Sequence, residues 1–127
     1  MIVLDASVMI AILDGDDVHF VAAKELLRTR TTERFVAHRL TIAESLVQAT
    51  RAQRGPAVAA ALAGLGVERI DVLDDPIDLA ELRVRTGMKM PDCCVLHTAV
   101  RERASLATFD ARLADAARSL GVIVVPG

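Results

Sequence analysis

The sequence contains no tryptophan, no tyrosine and only three phenylalanines. A core built without large rings must be packed from Ala, Val, Leu and Ile, which dominate the 53% hydrophobic fraction. The shortage also argues against a site that stacks successive bases on aromatic platforms. There are two cysteines, Cys93 and Cys94, and they are adjacent. Neighbours in a helix cannot reach disulfide geometry, so both read as small buried residues of a reduced, cytoplasmic protein. No apolar run approaches the roughly 20 residues that a membrane span needs. The apolar start is broken by Asp5 and has no basic segment before it, which excludes a signal peptide. Charge of one sign is also missing. Fifteen Lys and Arg stand against 17 Asp and Glu, for a net charge of −2. Bulk charge therefore does not advertise a nucleic-acid partner, although a basic rim around an acidic pocket would vanish in the sum. The length of 127 residues predicts a single domain spanning 1–127.

The chain opens with Ile2-Val3-Leu4-Asp5-Ala6-Ser7, an apolar run rich in β-formers that ends on an acid. It reads as a buried parallel strand, with Asp5 at the carboxyl end, where open α/β sheets place their ligand sites. Ser7 is placed to cap the next helix. Further strands are predicted over 34–37, 67–72, 105–108 and 122–125. Helices are predicted over 7–13, 18–30, 39–53, 57–65, 74–85, 91–103 and 111–120. Gly55-Pro56 reads as a stop signal. Val18, Val21, Ala22, Leu26 and Leu27 read as the apolar stripe of the second helix. The helix over 57–65 carries no charge, and such a helix is either deeply buried or covered by another chain. Alternation of short strands with helices predicts an α/β fold, a parallel sheet with helices on both faces.

Three more acids sit where such a fold can bring them to the edge that holds Asp5. Glu44 lies in the helix after the second strand, Asp92 opens a helix after Pro91, and Asp110 follows the fourth strand. Each has an ordinary reading beside the chemical one. Asp5 suits a turn, Thr41-Ile42-Ala43-Glu44 matches a capping box, Asp92 complements a helix dipole, and Asp110 suits a helix cap. Taken together they form a carboxylate cluster, and clustered carboxylates repel unless a cation relieves them. Oxygen ligands alone point to Mg²⁺ or Mn²⁺. Such an ion acidifies a bound water and stabilises the charge developing on a phosphodiester, which makes hydrolysis the expected chemistry.

The ordered set Ile2-Val3-Leu4-Asp5-Ala6-Ser7, Thr41-Ile42-Ala43-Glu44, Met90-Pro91-Asp92 with Thr98-Ala99, and Ala107-Thr108-Phe109-Asp110 resembles the PIN-domain ribonucleases. Within them it is most similar to the VapC toxins of type II toxin–antitoxin modules. The resemblance covers essentially the whole chain. It implies a PIN-like three-layer α/β/α fold with a short-stranded twisted sheet, and an Mg²⁺- or Mn²⁺-dependent endoribonuclease. It carries the catalytic role to Asp5, Glu44, Asp92 and Asp110, with Asp5, Asp92 and Asp110 on the metal. Ser7 and Thr108 fall where the family has supporting hydroxyls. It also implies a homodimer and a cognate VapB-type antitoxin that blocks the site. Among the cations, Arg39 and Lys89 are the expected RNA contacts, because they lie near Glu44 and Asp92 in sequence.

The helix after Asp92 departs from the family pattern by carrying Cys93, Cys94 and His97 in place of small residues. His97 lies about 140° round the helix from Asp92, so it is expected to pack or face solvent rather than meet the metal. Asp74, Asp75 and Asp78 read as loop and cap acids. Two other strand-end aspartate enzymes and switches fit poorly. A haloacid-dehalogenase-type phosphatase needs a second Asp where Ser7 stands, and a receiver domain needs a paired acid and a late lysine. The alternative of another class is a non-catalytic RNA-binding or scaffold module on the same fold.

Overall fold

Residues Ile2, Val3 and Leu4 are all buried, and their side chains alternate between two apolar faces. A strand buried on both sides has to lie inside a sheet covered by two helical layers. The computed structural model, which describes residues 1–71 and 73–126, has that arrangement. In chain order it runs β1 (Ile2–Leu4), α1 (Ala6–Leu13), α2 (Phe20–Thr29), β2 (Phe35–His38), α3 (Arg39–Arg51), α4 (Gly55–Gly64) and β3 (Val67–Ile70). It continues with α5 (Pro76–Thr86), α6 (Met90–Glu102), β4 (Ser105–Ala107), α7 (Ala111–Ser119) and β5 (Val124–Val125).

The sheet order is β3-β2-β1-β4-β5 and every pairing is parallel. The chain starts in the middle, moves outward through β2 and β3, then returns to β4 on the other side of β1. Parallel crossovers are right-handed, so reversing direction sends the later helices to the opposite face. Two apolar clusters record this. Ile2, Leu4, Phe35, Ala37, Val67, Ala107 and Val125 pack with Val8, Met9 and Ile12 of α1, Leu26 of α2 and Leu62 of α4. Val3, Val36, Leu106 and Val124 pack with Val95, Leu96 and Ala99 of α6 and Leu113 and Ala117 of α7. The chain is thus an α/β fold of three layers, as expected. The reversal also creates a switch point between β1 and β4, the place where sheets of this class form a crevice.

Several local expectations change. Helix α2 buries Ala23 and Leu26, while Val18 and Val21 are 88% and 78% exposed. The helix starts only at Phe20, after Asp14 and Asp17 have closed turns onto the amides of Asp16 and His19. Gly55-Pro56 does not end α3. It opens α4, because Pro is well suited to a first helical turn, where its missing N–H has no partner to lose. Helix α4 is neither deeply buried nor apolar-contacted all round: only Gly55 and Leu62 are buried. Strand β2 starts later than expected and takes in His38, while β4 stops at Ala107. Strand β3 ends at Ile70, and its expected end, Val72, lies outside the described residues.

Candidate active site

The carboxyl end of β1 is fixed by both backbone and side chain. The Asp5 amide donates to the Ala107 carbonyl at 3.0 Å, which extends the β1–β4 ladder to the acid itself. Its carbonyl then accepts from Val8 and Met9 and starts α1. The Asp5 side chain does not cap that helix. Its Oδ2 instead accepts from the Ser7 hydroxyl and from the Thr108 hydroxyl, both at 2.8 Å. Each hydroxyl has one proton to give and spends it there. Each then accepts a backbone N–H from the turn after β4: Phe109 onto Ser7 at 3.0 Å, and Asp110 onto Thr108 at 3.0 Å. Ser7 therefore sits inside α1 as a brace rather than before it as a cap.

The other acids approach from three directions. Asp92 lies in the first turn of α6, whose start carries Pro91 and no side-chain cap. Burial first, then the charges of Asp5 and Asp110, push its carboxyl up, while Lys89 and Arg112 pull it down. Glu44 lies in the second turn of α3. It is exposed, yet loss of water on one side pushes its carboxyl up, reinforced by Asp92 and Asp5. The capping-box reading of Glu44 fails, because α3 begins at Arg39 and is capped by His38, whose Nδ1 accepts from the Leu40 amide at 3.1 Å. Asp110 does cap its helix: one oxygen accepts from Arg112 at 2.9 Å and Leu113 at 3.2 Å. Because that leaves its second oxygen outside the cap, the capping role and a place beside Asp92 are compatible.

A shallow cavity of about 360 Å³ opens over this edge, lined by Lys89, Asp92, Asp110 and Arg112 together with Arg83, Gly87 and Met88. It is an acidic floor with a basic rim, invisible in the net charge. Lys89 stands where the sequence placed it. Arg112 lines the cavity beside it, and Arg39 does not. Arg83 is committed elsewhere, donating to the Met88 carbonyl at 2.7 Å. One feature absent from the sequence reading is a stacked pair beside Asp110: the His19 ring lies on Phe109, with centroids 4.3 Å apart and planes within 5°.

His97 packs rather than facing the cavity acids, as the sequence reading expected. It is buried, and its two ring nitrogens face Asp74 and Asp78 at 3.5 Å. Asp74 is no cap either: Oδ2 lies 2.8 Å from His38 Nε2, and Asp75 caps α5 instead. Both cysteines are buried and free, as expected. Burial, with help from Asp74, Cys93 and Glu44, pushes the Cys94 thiol up to about 11.

A three-layer sheet with an acid-lined crevice at its switch point defines the class. The PIN-domain family model matches residues 2–119, and the chain belongs to the PIN-domain family. Among solved structures it is similar to VapC20 of Mycobacterium tuberculosis, titled a sarcin–ricin-loop-cleaving toxin, at 15% identity and TM-score 0.72, covering 91% of this chain and 95% of that one. A toxin–antitoxin complex from Klebsiella pneumoniae matches at 23% identity and TM-score 0.70, covering 90% of each chain. PAE2754 of Pyrobaculum aerophilum matches at 21% identity and TM-score 0.64, covering 98% of this chain and 90% of that one. No curated protein sequence matches the chain.

Proposed function

We propose that the chain is an Mg²⁺- or Mn²⁺-dependent endoribonuclease, the toxin of a VapBC-type module, with Asp5, Glu44, Asp92 and Asp110 as its catalytic acids. The observation that carries this is the treatment of Asp5. One carboxylate oxygen takes two hydroxyl donors, and no hydrogen bond engages the other among the described residues. A carboxylate buried at a crevice in this way is oriented for a ligand rather than satisfied by its own fold. The raised carboxyls of Asp92 and Glu44 add mutual repulsion that a hard dication relieves. The donors are all oxygens, which suits Mg²⁺ or Mn²⁺.

Asp5, Asp92 and Asp110 would hold the ion, which when bound supplies charge for the scissile phosphate and an acidified water for attack. Ser7 and Thr108 keep Asp5 from rotating. Glu44, whose carboxyl is raised by desolvation and by Asp92 and Asp5, would in its ionised form take the proton from the attacking water. Lys89 and Arg112 steady the RNA backbone across the cavity mouth. A VapB-type antitoxin partner is supported by the similar Klebsiella pneumoniae structure, which is a toxin–antitoxin complex. A homodimer rests on the resemblance. Helix α4 remains the candidate contact, through the exposed Ala60 and Ala61 rather than Leu62, which belongs to the core.

Purified, antitoxin-free protein should cleave RNA with Mg²⁺ or Mn²⁺ and stop on chelation. Cleavage that resists chelator would sink the metal mechanism. Failure to cleave any RNA, tested by sequencing 5′ ends of cellular RNA after brief expression, would favour a binding module.

A further inference from the structure

Helix α5 is patterned the wrong way round for a surface helix. Leu79 and Leu82 pack on the second apolar cluster, yet no residue of the helix is fully buried. Successive residues turn about 100°, so Ile77 stands about 200° round from Leu79, and Val84 about 200° round from Leu82. Both therefore point away from the core, and they are 69% and 87% exposed. Ala80, three after Ile77 and four before Val84, is exposed as well. The outward face of a surface helix ordinarily carries charge. Here its outermost line is apolar, and none of the described residues covers it. A patch of that kind marks a contact surface.

The charges beside that line select its occupant. The acids Asp75, Asp78 and Glu81 fall at the start and first half of α5, and Arg83 and Arg85 fall in the second half. Asp78 and Arg85 are seven residues apart, so they share one flank of the apolar line. A second copy laid antiparallel, with a two-fold axis near Ala80 and Glu81, sets Ile77 against the partner's Val84. On the flank it sets Asp78 against the partner's Arg85, and the symmetry repeats both contacts in reverse. A parallel copy would set like charge on like charge. Ala80 is small and sits at the axis, where the two helices come closest. A groove of about 590 Å³ runs along the same flank, lined by Leu82, Val100 and Leu120 together with Asp78, Glu81 and Arg85. It gives the partner's long side chains an apolar floor for their stems.

We propose that α5 is a self-association face. Two copies of the chain pack it antiparallel about a two-fold axis, along Ile77, Ala80 and Val84, with Asp78 of each copy paired to Arg85 of the other. The apolar line supplies the attraction. The ion pairs set direction and register rather than strength. This contact is separate from the one assigned to α4. Leu62 of α4 belongs to the first apolar cluster and Leu79 and Leu82 of α5 to the second, so the two helices lie in opposite layers of the sheet. A chain that uses both faces forms a tetramer, and one that uses α5 alone forms a dimer.

The test is mass in solution by sedimentation equilibrium, at about 100 μM chain, where a contact of one helix face should hold. Neither RNA nor metal is present, so its outcome is independent of the nuclease reading. Val84→Glu should halve the mass of the full chain. Ala61→Glu, which places a charge on the α4 face, should still be a dimer. Adding Val84→Glu to it should give a monomer, with the dissociation constant raised at least about 30-fold. Val84 is exposed, so its variant should melt with the unmodified chain, which separates a lost contact from a lost fold. In the Ala61→Glu background, Arg85→Asp should weaken the dimer about 10-fold, and Asp78→Arg added to Arg85→Asp should return it to within about threefold of the start. A monomeric unmodified chain, or a monomeric but folded Ala61→Glu chain, overturns the proposal. So does an association that survives Val84→Glu. A double reversal no tighter than Arg85→Asp alone overturns it as well, because only pairing across two copies lets the second change repair the first.

Discussion

Helix α6 separates two polar regions that differ in almost every respect. On one side, Asp92 and Asp110 line an open cavity with Lys89 and Arg112, and the charges of Asp5 and Glu44 act on the same cluster of oxygen acids. On the other, Cys94 and His97 meet His38 and Asp74 in a buried, mixed set. The first leaves like charges close together, with Asp5 buried and Glu44 and Asp110 exposed. The second pairs a His with an Asp at 2.8 Å. Repelling groups held in place by hydroxyls are poor stabilisers and good ligands, whereas a paired, dry set contributes to the fold. The same helix thus carries repelling acids on one face and a hydrogen-bonded polar set on the other.

The comparison is broken most severely if Asp5→Asn spares activity. Loss of roughly 100-fold or more in metal-dependent RNA cleavage is expected. Melting temperature should hardly change, because an Asn oxygen still accepts from Ser7 and Thr108. A smaller loss should follow Thr108→Val, which removes one donor to Asp5 and the acceptor for the Asp110 amide. About 10- to 100-fold in cleavage is expected. On the other side, His38→Leu leaves the half-buried Asp74 without its donor. Urea unfolding should show a loss of about 1.5–3 kcal/mol, with cleavage per folded molecule retained.

A pH series sharpens the contrast. The carboxyls of Glu44 and Asp92 are raised above their ordinary values of 4.5 and 3.8. A raised folded value means that the fold binds those protons more readily than the unfolded chain does. Their contribution to stability is therefore present at low pH and lost as pH rises through the raised values. Mg²⁺ binding needs the ionised forms, so the rise in melting temperature caused by Mg²⁺ should shrink as pH falls, beginning above those ordinary values. An Mg²⁺ increment that persists unchanged down to about pH 4 would contradict the cluster. The smallest effect is expected at Gly87, which ends α5 with φ +71° beside the cavity. Gly87→Ala should cost about 1 kcal/mol by thermal melting and leave both polar regions intact.

The sequence displayed the acid side far better than the dry side. The run Ile2–Leu4 followed by Asp5 announces a central strand with an acid at its end, and Pro91-Asp92 announces a helix start. Such signals are local, so they survive without coordinates. The His38–Asp74 pair joins residues 36 apart in sequence, and nothing near either residue marks the other. Cys93, Cys94 and His97 stood out in the sequence only as departures from the family pattern. Boundaries failed for similar reasons. Gly55-Pro56 is equally good as an end and as a beginning, and only the packing of Leu62 decides. Val18 and Val21 were assigned to a stripe by periodicity, but α2 rotates to bury Ala23 and Leu26.

The hydroxyl of Thr108 reaches across 103 residues of sequence to hold Asp5. During synthesis the first strand and its acid emerge early and must wait for β4 and the turn after it. Until those residues leave the ribosome, Asp5 has neither its backbone partner at Ala107 nor the Thr108 hydroxyl, and keeps only the Ser7 donor. A nascent or truncated chain therefore carries the acids without the pocket. The geometry exists only once β4 and the turn after it have docked beside β1.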